Sequence, residues 1–494
     1  MVTCDKTLSA LICANLRLRK VWNLPRRHLQ SLVLVLLLAS LSWTQSPAGQ
    51  SAAPPEQKIS PKDAEELFHD VDKIMDFASK DSGLPVKHEV KRRLTSRDEV
   101  VAYLEKNMAE DKDAQRLRRS ELVLKKFGLL PQDFDLHGFL LTLLREQVAG
   151  YYDAKTKTVN LLDWLDAEQQ RPVLAHELTH ALQDQSFDLE KWLKADTDLN
   201  DQKEPTASDI EEDEVTEARQ AVAEGQAMVT LVDYMLEPTG QSLLRSPQIA
   251  EALKEGMLVG TADSLQFKNA PLFLKESLTF PYRYGLDFEA ELLRSGGKQK
   301  AFADTFTNPP RNTRQIMEPK TYLSGERLDP MRLPDFDHDF KNYDRFDIGA
   351  IGEFDVALLV DQYAGVAASH ALYPHWRGGY YYAAKPKGDP AASLDVLYLS
   401  RWSDAESASK FAAIYAGALE KRYKHVHQVE ENATKDVTQL PKLETLTGIH
   451  TWLTEEGPVV IVVQAANVLI TESFDQSTTE HLEQELLGIQ PVAK

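Results

Sequence analysis

"RPVLAHELTHALQDQSF", Arg171–Phe187, repeats apolar residues at helical spacing yet sets two histidines and a glutamate among them. Leu174, Leu178, Ala181 and Leu182 form the stripe of a core-facing helix, predicted over about residues 168–185. His176 and His180 are four residues apart, so their imidazoles lie one turn apart on one face and can meet a single ion. Glu177 projects about 100° round the helix from His176, beside such an ion, where a base can take a proton from water held there. Two hydrogen-bonded histidines and an incidental glutamate would be the plainer account. An exposed helix face, however, would carry Lys, Glu or Gln there, and this one is flanked by apolar residues. The H-E-x-x-H pattern therefore predicts zinc on His176 and His180, with Glu177 as general base.

A catalytic zinc takes a third protein ligand. The pattern with a third histidine on the same segment fails, because Gln183 and Ser186 stand where Gly and His are required. A second long helix is predicted from a capping box of Ser208 and Glu211 to about Leu236. Within its "ARQAVAEGQAMVTLV", Glu224 is the only carboxylate in an apolar run. A buried carboxylate without a cation costs several kcal/mol by order of magnitude, so Glu224 is the expected third ligand. Gly225 beside it would let helix backbones approach closely. Glu217, seven residues earlier on nearly the same face, is the rival. Its acidic surroundings "EEDEVTEARQ" read as solvated, which leaves it a supporting role at most.

Outward from these helices, "VAGYYDAKTKTVNLL" reads as a hairpin turning at "DAKTK", and "VKHEV" as a short strand. The strand "KTVNLL" is expected to pair with an extended peptide. Helix continues to about Gly296, with an interruption at "FPYRYG", whose Tyr282 and Tyr284 are candidates to stabilise an oxyanion. A Pro-rich stretch from "NPPRN" to "RLPDF" reads as a boundary. Beyond Phe346, "GGYYYAAKP", "LDVLYLSRW", "PVVIVVQ" and "NVLITESF" are β-branched and aromatic, with a helix capped by Ser403 and Glu406 between the pairs and a last helix at "STTEHLEQELLG". The expected class is α+β: a mostly helical unit over residues 54–340, then a smaller α+β unit over 346–494.

The chain of 494 residues is too long for one compact core. Its net charge of −20 argues against nucleic acid as a partner, since phosphate binding needs a basic surface. Residues 1–53 read as an export leader: Arg17, Arg19, Lys20, Arg26 and Arg27 precede the apolar "SLVLVLLLASLSW", and a small-residue stretch follows, with cleavage expected at about 48–53. Removing the leader's net +5 leaves −25. A secreted or periplasmic location follows, with membrane attachment only if the leader stays uncleaved. Cys4 and Cys13 both fall in it, so the remainder has no thiolate for zinc, catalysis or a disulfide.

"HELTHA" followed by Asp184 resembles the active-site helix of thermolysin-like zinc peptidases, and H-E-x-x-H with a distant helical Glu resembles the gluzincins. Taken together, "EQVAGYYDAKTKTVNLL", "VLAHELTHALQDQSFDL", "ARQAVAEGQAM", "FPYRYG" and "PPRNTRQIMEPKTYL" are similar to a group of exported bacterial gluzincin-like proteins. The resemblance spans roughly residues 90–322 and implies a zincin-like metallopeptidase domain, zinc, and hydrolysis of peptide or protein substrates. It assigns His176, His180 and Glu224 as ligands and Glu177 as base. Thermolysin-like enzymes orient a histidine with an Asp four residues after the third ligand. Met228 stands there, so the resemblance passes that role to Asp184 or Glu217. Glu318 likewise replaces a His of the closer group. These departures favour the alternative, an inactive zincin-like envelope binding protein, whereas the intact Glu177 favours the enzyme.

Overall fold

The computed structural model describes residues 58–108, 111–147, 150–193, 199–253, 265–429 and 444–488. Residues 1–53, read above as a leader, and their two cysteines lie outside them. Among the described residues, no helix is long and apolar enough to cross a membrane. The fold is α+β. Its first half consists of α1 (Pro61–Ser82), β1 (Lys91–Thr95), α2 (Asp111–Lys126), β2 (Tyr151–Asp153), β3 (Thr158–Leu162), α3 (Ala167–Phe187), α4 (Ala207–Leu236) and α5 (Leu272–Lys298), with shorter helices between.

α3 contains the His-Glu stretch, and its surroundings explain its composition. Leu67, Val71 and Ile74 of α1 and Val159 and Leu161 of β3 share a core with Leu174, Leu178 and Leu182 of α3, while α4 covers another side. Every residue from Pro172 to Asp184 is therefore buried, and the single apolar stripe read from the sequence understates how enclosed the helix is.

β3 is the centre of a three-stranded sheet in the order β1-β3-β2, parallel to β1 and antiparallel to β2. Its backbone groups are engaged on both sides, so the expected peptide-pairing role of "KTVNLL" is excluded. β2 is the edge. The first strand is not "VKHEV" but begins at Lys91, where pairing of Lys91 with Thr158 sets the register.

α4 starts two residues earlier than predicted for its cap. The Thr206 hydroxyl accepts from Asp209 N, and the Asp209 carboxylate accepts from Thr206 N at 2.8 Å, so this pair, at the same i,i+3 spacing, displaces Ser208 and Glu211. α5 is not interrupted at "FPYRYG". Pro281 lies inside a continuous helix, and the break falls at Gly297, with φ +67°. Proline in a helix interior costs about 3 kcal/mol, and here dense packing of α5 against α4 offsets it. That packing is exceptionally close: a Cβ on Gly225 would collide with the Gly285 carbonyl, and one on Gly285 with the Ala221 carbonyl.

The second half is built on a seven-stranded antiparallel sheet in the order β4-β5-β6-β10-β9-β8-β7. Its elements run β4 (Tyr343–Ala350), α6 (Glu353–Ala364), β5 (Trp376–Pro386), β6 (Asp395–Trp402), α7 (Ala405–Arg422), β7 (Val426–Val429), β8 (Gly448–Thr454), β9 (Gly457–Gln464), β10 (Asn467–Glu472) and α8 (Gln476–Leu482). Asp404 caps α7 by accepting from Ser407 N, in place of the expected Ser403. Both faces of the sheet are covered at β5 and β6, whereas β7 and β8 at the far edge are partly exposed. Tyr381 and Tyr398 face the side of α6 and α7, and Tyr380 and Tyr382 face Phe340, Phe474 and Leu482. Burial on both sides explains why "GGYYYAAKP" lacks polar alternation. The halves meet over apolar surface, with Phe127 at the end of α2 edge-on to Tyr381 and Tyr398.

Candidate metal centre

α3 and α4 bring three ligand-type atoms together. His176 Nε2 lies 3.0 Å from His180 Nε2 and 3.1 Å from Glu224 Oε2, and His180 Nε2 lies 3.3 Å from that same oxygen. The group is buried, with His176 fully so. Glu224 Oε1 accepts from Gln220 Nε2 at 2.6 Å, which turns Oε2 toward the histidines. His176 Nδ1 has no hydrogen-bond partner among the described residues.

A relay of side-chain amides fixes His180. Gln183 Nε2 donates to the Ala223 carbonyl at 3.0 Å, so Gln183 Oε1 must be the atom 2.8 Å from His180 Nδ1. An amide oxygen only accepts, so Nδ1 carries the proton and Nε2 presents its lone pair to the cluster. Gln183 Nε2 also donates to Gln226 Oε1, and Gln226 Nε2 donates to Ala301 O and Thr305 Oγ1. The tautomer of one imidazole is thus set from three successive segments. In the sequence Gln183 stands out only as a departure from the one-segment ligand pattern, and Gln226 not at all. A signal was available for Gln226, a polar residue in the same apolar run as Glu224, but not for Gln183, which sits among the polar residues of "QDQS".

Glu177 is buried beside the cluster, and its Oε2 accepts from Tyr152 N on the free edge of β2 at 2.7 Å. Burial pushes its carboxyl up to about 8; the Glu224 charge acts in the same direction, while His180 and the Tyr152 amide oppose it. Burial holds His176 down at about 4 despite Glu224. Burial also disfavours charge on His180, yet the Glu224 carboxylate raises it to about 9. Burial works against ionisation of Glu224 in turn, but the two histidines bring it down to about 2. Without a cation, burial and the Glu224 carboxylate therefore favour a proton on His180 over one on His176, 3.0 Å away.

The remaining candidates divide. Asp184 does not orient a histidine: its Oδ2 accepts from the Tyr152 hydroxyl at 2.8 Å and from Lys157 Nζ at 2.6 Å. It acts on Glu177 at one remove, by fixing the strand whose amide holds that carboxylate. Glu217 is buried rather than solvated and stands outside the three-atom cluster. The acidic run misled because α4 is covered even there; Glu214, also buried, accepts from Thr313 N and Oγ1. Tyr282 is fully buried with its ring stacked over His176, centroids 6.3 Å apart. Tyr284 is turned away, packed on Phe280 and Phe354 and beside Arg283. Two residues along a helix is about 200°, so both tyrosines could not face the cluster. Glu318 pairs with Arg314, a buried guanidinium that also reaches Glu353.

No family model, curated protein or solved structure matches the chain.

Proposed function

We propose that this chain is a zinc-dependent peptidase of zincin-like type, with His176, His180 and Glu224 as ligands and Glu177 as general base. The observation that carries this reading is the convergence of two imidazole nitrogens and one carboxylate oxygen from two helices, with a second buried carboxyl beside them. Their separations of 3.0–3.3 Å match the roughly 3.3 Å edge of a tetrahedron of zinc bonds about 2.0–2.1 Å long. The donor set is one that zinc accepts, and the two Nε2 atoms facing each other at 3.0 Å are eased by a shared cation.

Zinc, when bound, supplies Lewis acidity toward water and the scissile carbonyl. The chain supplies the proton chemistry. Glu177 accepts a proton from the attacking water and returns it to the leaving amine; a cation on the cluster would bring its carboxyl down from the raised value that burial gives it and so leave it ionised for that role. The Tyr152 amide holds one carboxylate oxygen and leaves the other for that exchange. Gln183 keeps His180 in the tautomer that can ligate. Tyr282 restrains the ring of His176 by stacking.

The test is Glu177→Gln. Zinc content should be retained, while hydrolysis of an unstructured protein substrate falls by about 10²–10⁴-fold, the usual worth of a positioned base. Undiminished cleavage in that variant rules out the mechanism. One observation favours a second reading, an inactive scaffold with a structural ion: His176, His180, Glu177 and Glu224 are all buried. A protein that holds zinc tightly but shows no chelator-sensitive cleavage would favour it.

A further inference from the structure

A second group of ligand-type atoms lies in the other half of the chain, where a helical turn at Phe336–Asp339 meets α8. His338 Nδ1 lies 3.0 Å, and His481 Nε2 2.8 Å, from one and the same oxygen, Asp339 Oδ1. All three ligand atoms lie within 4.8 Å of one another. The nearest Glu485 carboxylate oxygen is 3.8 Å from His481 Nε2.

A surface ion pair would be the ordinary account, and it fits poorly. Its carboxylate would normally be exposed, with both oxygens solvated. The Asp339 side chain is instead 0 % exposed, and besides the two imidazoles its carboxylate meets the Glu485 carboxyl. The two histidine side chains are 65 % and 44 % exposed, so the group opens to solvent through the imidazoles. A buried carboxylate facing two imidazoles, with a second carboxyl beside it, is the arrangement a borderline divalent ion stabilises. The same convergence of two ring nitrogens on one carboxylate oxygen defines the cluster of His176, His180 and Glu224.

We propose that His338, Asp339 and His481 form a second, solvent-facing site for a divalent cation of the zinc type, with Glu485 placed to add a further carboxylate. A cation there would tie the segment that opens the second half to the helix that closes it. Phe336, Leu482 and Leu486 already join those two segments through apolar contact.

The test is a metal count on the full chain without a histidine tag. The unaltered protein and a His338→Ala/His481→Ala variant are equilibrated with micromolar zinc, and bound metal is measured by plasma mass spectrometry. The unaltered protein should hold one equivalent more than the variant. Cobalt in place of zinc should give a visible difference spectrum of an N,O-ligated ion. Equal metal content in the two proteins overturns the proposal. Both replaced side chains are at the surface, so the variant should keep its fold, verified by near-ultraviolet circular dichroism. The first cluster is intact in both proteins, so the difference reads the second site whether or not the first binds zinc.

Discussion

Glu224 shows how far a single residue can be read. A lone carboxylate in an apolar helix requires a cationic or hydrogen-bonding partner, and that rule locates it from sequence alone. The same rule applies to uncharged polar side chains at lower energy and would reach Gln226, whereas Gln183, among the polar residues of "QDQS", is revealed by its contacts. Its oxygen accepts from His180 Nδ1 while its nitrogen is anchored on the Ala223 carbonyl, so the imidazole is held in one tautomer and one orientation. Partners of this kind typically contribute 10–100-fold in metal affinity. Gln183→Ala should therefore weaken zinc binding by roughly that factor, measured by competition with a chromogenic chelator, with secondary structure unchanged. Unaltered affinity would show that the amide relay does not support the site. Asp184 carries a different expectation, because its contacts are to Tyr152 and Lys157. Asp184→Asn should disturb the seating of Glu177 while leaving zinc affinity nearly intact, read as a fall in turnover at constant metal content.

At the scale of elements, the close crossing of α4 and α5 determines what reaches the cluster. Gly225 is adjacent to Glu224, and Gly285 is one turn from Tyr282, so the contact that brings the helix backbones together also lays the Tyr282 ring over His176. Gly225 was legible as a close-approach residue. Its partner was not, because "FPYRYG" carries a proline and reads as a break, and only the packing of α5 on α4 keeps it helical. Either glycine replaced by alanine puts a methyl group against a carbonyl that cannot move without shifting a whole helix. Overpacking of this kind costs typically 1–3 kcal/mol, and Gly285→Ala should lower the urea midpoint accordingly without a change in slope. A neutral effect would mean that the helices separate freely, and that Tyr282 owes its position to something else.

Across the whole molecule, legibility followed burial pattern. Strands β5, β6 and β10 are buried on both faces and announce themselves as β-branched and aromatic runs, as does the partly buried β9. β4, with "YDRFDIGA", does not, because its charged residues are satisfied by partners remote in sequence: Asp347 accepts from Asn200 and Tyr381. Ties between the halves are equally invisible in the sequence, since each joins residues that are unremarkable alone. Lys126 at the end of α2 reaches Glu456 at 2.6 Å and lies 3.8 Å from Glu472, whose fully buried carboxylate takes Arg422 Nη2 at 2.6 Å and the hydroxyls of Tyr415 and Tyr423. Burial works against ionisation of Glu472, but Arg422 and Lys126 outweigh it and hold the carboxyl below its ordinary value. A carboxyl depressed in the folded state contributes stability that is present above its unfolded pKa of about 4.3 and is lost as pH falls through the folded value. Glu472→Gln leaves Arg422 buried without its counter-charge, a loss of about 3–5 kcal/mol at neutral pH. The decline in stability below about pH 4.5 should be correspondingly shallower in the variant. Denaturant midpoints of both proteins, followed from neutral to acid pH, test this, and parallel curves would show that the buried network does not hold the two halves together.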